Sequence, residues 1–163
     1  GFSRCLVTGN SPIKSLVDLK SATIKDKAVI APAEDSITSV ITRATMVELL
    51  GALPPMNYTQ FQEAVPFTLE HGLAAVGVSA SPSVIKDWQA KGGRIIGLSK
   101  PVPIKHLIAS SSMTEGQKNT VAEYFLGLNS TDAGRAKLTR LGVEGFLPFD
   151  EKALVSIGKW LGQ

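Results

Sequence analysis

Apolar and polar positions along the chain fall into two alternating kinds of run. Short, continuous apolar or β-branched stretches at Cys5–Thr8, Ala28–Ala31, Met56–Thr59, Leu73–Val78, Arg94–Leu98 and Lys105–Ser110 predict strands. Most are unbroken rather than alternating, the pattern expected where helices cover both faces of a sheet. Between them, Ile37, Val40, Ile41, Ala44, Val47 and Leu50 recur at helical spacing, and Gly51 with Pro54 and Pro55 behind it ends that helix. Ser81-Pro82 opens a second helix, which Gly92-Gly93 closes. After residue 110 the strand pattern stops. Ser112-Met113-Thr114-Glu115 reads as a capping box before a helix to about Leu128, and residues 131 to 141 and 151 to 161 are predicted helical. The order predicts an α/β lobe with a mostly parallel sheet flanked by helices over residues 1–110, then a helical C-terminal return segment over 111–163.

Composition narrows the classes. At 163 residues, 44% hydrophobic and 19% charged, the chain is a folded domain with a core. It has no apolar run of about 18 residues, so no membrane span is expected, and the opening GFSRCLVTGN has neither an initiator Met nor a signal-peptide layout, so it reads as a processed or excised chain. Seventeen basic residues against fourteen acidic ones give +3, spread without a cluster, so no nucleic-acid partner is expected. Cys5 is the sole cysteine, and His71 and His106 have no metal-ligating companion at i+2 to i+4, so neither a disulfide nor a metal is expected.

Candidate chemistry centres on AEDSITSV, residues 33 to 40. A helix N-terminus leaves backbone N–H groups without partners at the positive end of the macrodipole, and Ser36, Thr38 and Ser39 stand where hydroxyls would add donors for an anion. The turn also follows a strand end, where open α/β sheets bind ligands. The plainer reading makes Asp35 or Ser36 an N-cap and no more, and Glu34 and Asp35 would oppose an incoming anion. Gly77-Val78-Ser79-Ala80-Ser81 resembles a nucleophile elbow but has Ser81 at the second glycine position, so Ser79 reads as a cleft donor or a turn residue and no catalytic residue or cofactor is expected. Trp88, Tyr124, Phe125 and Trp160 read as core, and Tyr58 and Phe61 as core or cleft border.

Several stretches together carry a family resemblance. SPIKSLVDLK at 11–20, the strand AVIAP with the hydroxyl loop DSITS, GLAAVGV at 72–78, LSKPVP at 98–103, and GRAKLTRLGVEGF at 134–146 resemble, in that order, the motifs of ABC-transporter periplasmic substrate-binding proteins of the phosphate/phosphonate type. The resemblance implies a periplasmic-binding-protein-like (type II) lobe and a non-enzymatic receptor, periplasmic or extracytoplasmic. It would close on a small anion, phosphate, phosphonate or a related oxyanion, and present it to a membrane ABC permease. It also implies that Ser36, Thr38 and Ser39 are the anion-contacting loop and that Ser79 and Ser81 stand at the cleft. Ala75 replaces an aspartate of the family's pattern, and Gln62 a histidine that phosphonate binders carry. The family has about 100 further residues before the first crossing, a usual domain size, so the resemblance implies an N-terminal lobe as a further partner of this stretch. The same fold serves as an effector-binding domain of transcription regulators and a sensor domain of histidine kinases, which is the alternative reading; a small hydrolase using Ser79 is the enzymatic one.

Overall fold

The computed structural model describes residues 3–21, 29–102 and 105–162. Strands β1 (Arg4–Val7), β2 (Val29–Pro32), β3 (Met56–Thr59), β4 (Val76–Ser79) and β5 (Arg94–Leu98) form one sheet in the order β3-β2-β4-β1-β5. Helices are α1 (Ile37–Leu50), α2 (Ala64–Glu70), α3 (Pro82–Ala90), α4 (Glu115–Leu126), α5 (Asp132–Leu141) and α6 (Glu151–Trp160), with short 3-10 helices at Leu16–Lys20 and Leu128–Ser130. The chain divides into two compact units, Gly1–Ile104 with Ser156–Gln163, and Lys105–Val155. Among the described residues no helix is long and apolar enough to cross a membrane.

The sheet is mixed. β2 pairs in parallel with both β3 and β4, while β1 pairs antiparallel with β4 and β5, so four strands run one way and β1 runs against them. Both faces are buried, which accounts for the unbroken apolar runs. Cys5, Val7, Val29, Ala31, Val76 and Val78 point to one face, with Leu16, Leu19 and Met46 over them. Leu6 and Ile30 point to the other, under Val65 and Leu69 of α2 and Ile85 and Trp88 of α3. Gly77 lies on that second face, where an added Cβ would come within 2.6 Å of Val65 and 2.8 Å of Leu69. A side chain there would push α2 off the sheet.

Met56–Thr59 and Arg94–Leu98 are strands over the expected residues, and β1 and β4 lie within a few residues of expectation. Ala28 of the expected second strand and Pro103 of the LSKPVP stretch lie outside the described residues. Lys105–Ser110 is not a strand: its apolar side chains Leu107 and Ile108 are exposed and its backbone joins no ladder. The cap of α4 is Thr114 rather than Ser112, with Gln117 completing the box by accepting from the Thr114 N–H at 2.9 Å. α2 lacks a sequence signal because Pro66 interrupts the pattern, yet Pro in the first turn removes an N–H that no helical carbonyl needs. Of the four expected core aromatics only Trp88 is fully buried, its indole N–H donating to the Val7 carbonyl at 2.9 Å. Tyr124 is exposed, Phe125 and Trp160 half-buried.

Trp160 has a polar partner. Its indole N–H donates to Glu48 of α1 at 2.7 Å, and the Lys100 ammonium lies 3.1 Å from the same carboxylate and 4.2 Å from the indole ring centroid. One carboxylate thus fastens the end of α6 and the segment after β5 to α1.

Two predictions follow from packing and charge. Gly77→Ala should destabilise the protein by about 1–3 kcal/mol through overpacking, seen as a lower urea midpoint at unchanged slope. The hydrogen bond from Lys100, and then that from Trp160, hold the Glu48 carboxyl below its ordinary range. The tie is therefore complete above the unfolded pKa, near 4.5, and is lost as pH falls through the lower folded value. Trp160 fluorescence should titrate below about pH 4.5, and Glu48→Gln should abolish that titration.

Candidate functional site

The parallel pairing of β2 and β4 sets Val29 beside Val76 and Ile30 beside Gly77, so their C-terminal ends reach the same edge of the sheet. Each strand is followed within a few residues by a helix: β2 by the turn Ala33–Ser36 and α1, β4 by Ala80-Ser81 and α3. The two helix N-termini therefore share one edge. Antiparallel β1 starts there too, with Arg4 opposite Ser79 and Leu98, so Ser3 and Ser99 join the same edge. All five hydroxyl residues expected from sequence, Ser36, Thr38, Ser39, Ser79 and Ser81, lie on it.

Their hydroxyls are not equivalent. Ser36 is the N-cap of α1, in extended backbone, and its Oγ accepts from the Ser39 N–H at 3.2 Å. The Ser39 hydroxyl, fully buried, donates to the Pro32 carbonyl at 2.9 Å and ties α1 to the end of β2. Thr38 is buried, and its carbonyl accepts from Thr42 at 2.8 Å and from the Ser3 hydroxyl at 3.4 Å. Among the described residues the N–H groups of Ile37 and Thr38 and the hydroxyl donors of Ser36 and Thr38 have no protein acceptor. At α3, buried Ser79 accepts from the Ser81 N–H at 3.1 Å, Ser81 is the N-cap residue without a side-chain capping bond, its hydroxyl instead 3.0 Å from that of Ser83, and Pro82 occupies the first helical position. The Ser83 and Val84 N–H groups are likewise without acceptors among the described residues.

The Glu34 and Asp35 side chains are exposed and their carboxylates make no hydrogen bond or ion pair among the described residues, which leaves their charges to solvent screening. Arg43, one helical face along α1, donates from one guanidinium nitrogen to the Glu34 carbonyl at 2.9 Å and to the Tyr58 hydroxyl at 3.1 Å, and lies 5.8 Å from the Tyr58 ring centroid. It fixes the turn ahead of Ser36 and brings a positive charge to the same side. Sequence reasoning missed Arg43, Ser3, Ser83 and Ser99. The alternating hydroxyls of Ser79-Ala80-Ser81-Pro82-Ser83 were a usable signal for Ser83, whereas Arg43 had none, because its role depends on β3 lying beside β2.

Other chemistry is thin. His71 is hydrogen-bonded to the Phe67 carbonyl at 2.9 Å and His106 packs edge-on against Phe149, so neither is bonded to Ser79. Burial pushes the Cys5 thiol up to about 12, which makes it inert. Among the described residues no group of three or more His, Cys, Asp or Glu side chains could hold a metal. An open cavity of about 310 Å³ lies at the opposite edge of the sheet, lined by Thr8, Asn10, Glu70, Trp88 and Lys91. The C-terminal ends of α2 and α3 meet it, the negative ends of their dipoles, and Lys91 is already paired with Glu70 at 2.7 Å, so its field disfavours an anion.

A sequence model for the phosphonate periplasmic substrate-binding protein of ABC transporters matches residues 2–154. No curated protein sequence matches. Among solved structures, a binding protein component of an ABC phosphonate transporter from Pseudomonas aeruginosa aligns with TM-score 0.68 at 16% identity, over 98% of this chain and 56% of that one. The XAC2383 protein of Xanthomonas citri, solved with ATP bound, aligns with TM-score 0.65 at 16% identity, over 99% and 64%. The periplasmic aliphatic sulphonate binding protein SsuA from Escherichia coli gives 0.52 at 16%, over 98% and 50%. At such identities these structures speak for the fold, and the chain spans between half and two thirds of their length. With nearly its whole length matched, the chain belongs to the phosphonate-type family of ABC-transporter periplasmic substrate-binding proteins.

Proposed function

We propose that this chain is the part of a solute receptor that holds a small tetrahedral oxyanion, a phosphate, phosphonate or sulphonate, for delivery to a membrane ABC permease. The observation that carries the reading is the pair of helix N-termini, α1 and α3, brought to one sheet edge by the parallel pairing of β2 and β4. Acceptor-free N–H groups at Ile37, Thr38, Ser83 and Val84, with the hydroxyls of Ser36 and Thr38, form a set of neutral donors suited to an anion. The family's transport role supports a receptor rather than an enzyme, and its periplasmic setting supports an extracytoplasmic location. The solved relatives named for phosphonate and sulphonate, and the one bound to ATP, favour an oxyanion.

Neutral donors suit a protein that must let its ligand go, and the nearby cation Arg43 is engaged with the Glu34 carbonyl and the Tyr58 hydroxyl. In this reading Ser36 and Thr38 contact the ligand directly. Ser39 holds α1 against β2 through Pro32, and Ser79 positions the backbone of Ser81. The longer solved relatives, of which this chain spans 56% to 64%, support a second lobe completing the shell.

The test is thermal unfolding at constant ionic strength with phosphate, sulfate, methylphosphonate, phosphite and an alkyl sulphonate. One of them, at 100 times its Kd, should stabilise by about 2.7 kcal/mol and raise the midpoint several degrees. Ser36→Ala combined with Thr38→Ala should weaken that ligand at least tenfold. Failure of every oxyanion to shift both this chain and a polypeptide extended by the other lobe, or an unchanged affinity in the double variant, would sink the reading. Ser39→Ala should behave differently, lowering stability by about 1–3 kcal/mol in urea unfolding because the buried Pro32 carbonyl loses its donor.

A further inference from the structure

Arg4 opens β1 directly opposite Ser79 of β4 on one side and Leu98 of β5 on the other. Residues opposite each other on antiparallel strands share a face, with Cβ atoms about 5 Å apart. Leu6, two residues on, packs with Ile85 and Trp88, so Arg4 lies on the face that α3 covers, beside the strand end from which α3 begins three residues later at Pro82. It is half-buried, yet among the described residues it makes no hydrogen bond and no ion pair. Its surroundings offer no countercharge: residues 3–9, 76–84 and 94–99 hold no acid, and α3 has none in its first turn. What stands beside it is the positive end of the α3 dipole, with the acceptor-free N–H groups of Ser83 and Val84. A cation partly withdrawn from water next to such an end is unfavourable on both counts, and an anion between them relieves both. Among the described residues Arg94 Nε is the sole side-chain nitrogen or oxygen sealed from solvent without a partner, so the Arg4 nitrogens remain open to a ligand. Arg43 differs, its guanidinium being bonded already to the Glu34 carbonyl and the Tyr58 hydroxyl.

We infer, on the reading of this edge as an anion site, that Arg4 is its charge-specificity residue: the guanidinium adds a formal positive charge to the neutral donors of α3 and makes the site favour a dianion over a monoanion of the same tetrahedral shape. Neutral donors separate the two poorly, because they answer to the placement of the oxygens, which both anions share. A fixed charge separates them, because its Coulomb attraction doubles with the charge on the ligand and is screened less at a half-buried group than in open water. The planar fork of a guanidinium also matches two oxygens of one oxyanion. The ligand class is thereby narrowed to oxyanions with a doubly charged head group, and a sulphonate, which carries one charge, falls outside it.

The test sets sulfate, a dianion, against methanesulfonate, a monoanion of like shape. Each is titrated at constant ionic strength into the 163-residue chain and into a polypeptide extended by the other lobe, while the amide resonances of Ser83 and Val84 are followed. Sulfate should bind more tightly by roughly tenfold or more, and Arg4→Gln should weaken sulfate by about that factor while changing methanesulfonate by less than about threefold. The urea midpoint of the variant should be unchanged, since Arg4 has no bond to lose among the described residues. Absence of a preference for sulfate in the unaltered chain, or a preference that survives Arg4→Gln, overturns the inference and leaves the anion site standing. Equal losses for the two anions overturn it as well, since Arg4 would then shape the site without selecting charge. If neither anion moves the two resonances in either polypeptide, the anion site and the role of Arg4 fall together.

Discussion

The parallel pairing of β2 with β4 is the constraint from which the rest of the α/β unit follows. Two parallel strands side by side must each leave the sheet at the same edge, and each here turns at once into a helix. The positive ends of two helix dipoles are thereby brought together, an arrangement that repels itself unless water or an anion lies between. The close approach of α2 to Gly77 helps hold that pairing, since Val65 and Leu69 fill the space a side chain would take. The core on one face and the donors at the edge thus depend on the same short ladder.

Much of this architecture was legible in the sequence. Ile37 to Leu50 at helical spacing, ended by Gly51 in the left-handed region at φ 80°, marked α1 closely, and the unbroken apolar runs announced strands covered on both sides. Strand direction was not legible. Cys5, Leu6 and Val7 read the same whether β1 runs with its neighbours or against them, because period-2 burial has no sense of direction. Lys105–Ser110 misled for a related reason: its apolar residues fit a strand, but a strand needs a partner ladder as well as side chains that favour one.

At the site, the residue types were readable and their duties were not. Ser36 and Ser39 look alike in a string of hydroxyls, yet one accepts a capping bond with its proton left over while the other spends its proton on Pro32 inside the core. What separates them is the position of a carbonyl seven residues back, set by how α1 leaves β2. Trp160 shows the same limit. Its helical spacing among aliphatics suggested core, whereas Glu48 and Lys100 give its indole a polar berth that only the assembled α1 and the segment after β5 create.

β1, the earliest strand in this sequence, occupies an interior place in the sheet and finds both of its neighbours far away, Leu6 lying opposite Gly77 on one side and Ile95 on the other. Closing such long loops is entropically expensive, so this central strand is slow to find its place, and β2, β3 and β4 can associate before it does. Until β5 is made, the sheet has a vacant slot beside β4 and a short apolar strand without its full ladder. While that slot is open, the unpaired edge of β4 can accept another extended segment, the hazard that any free strand edge carries.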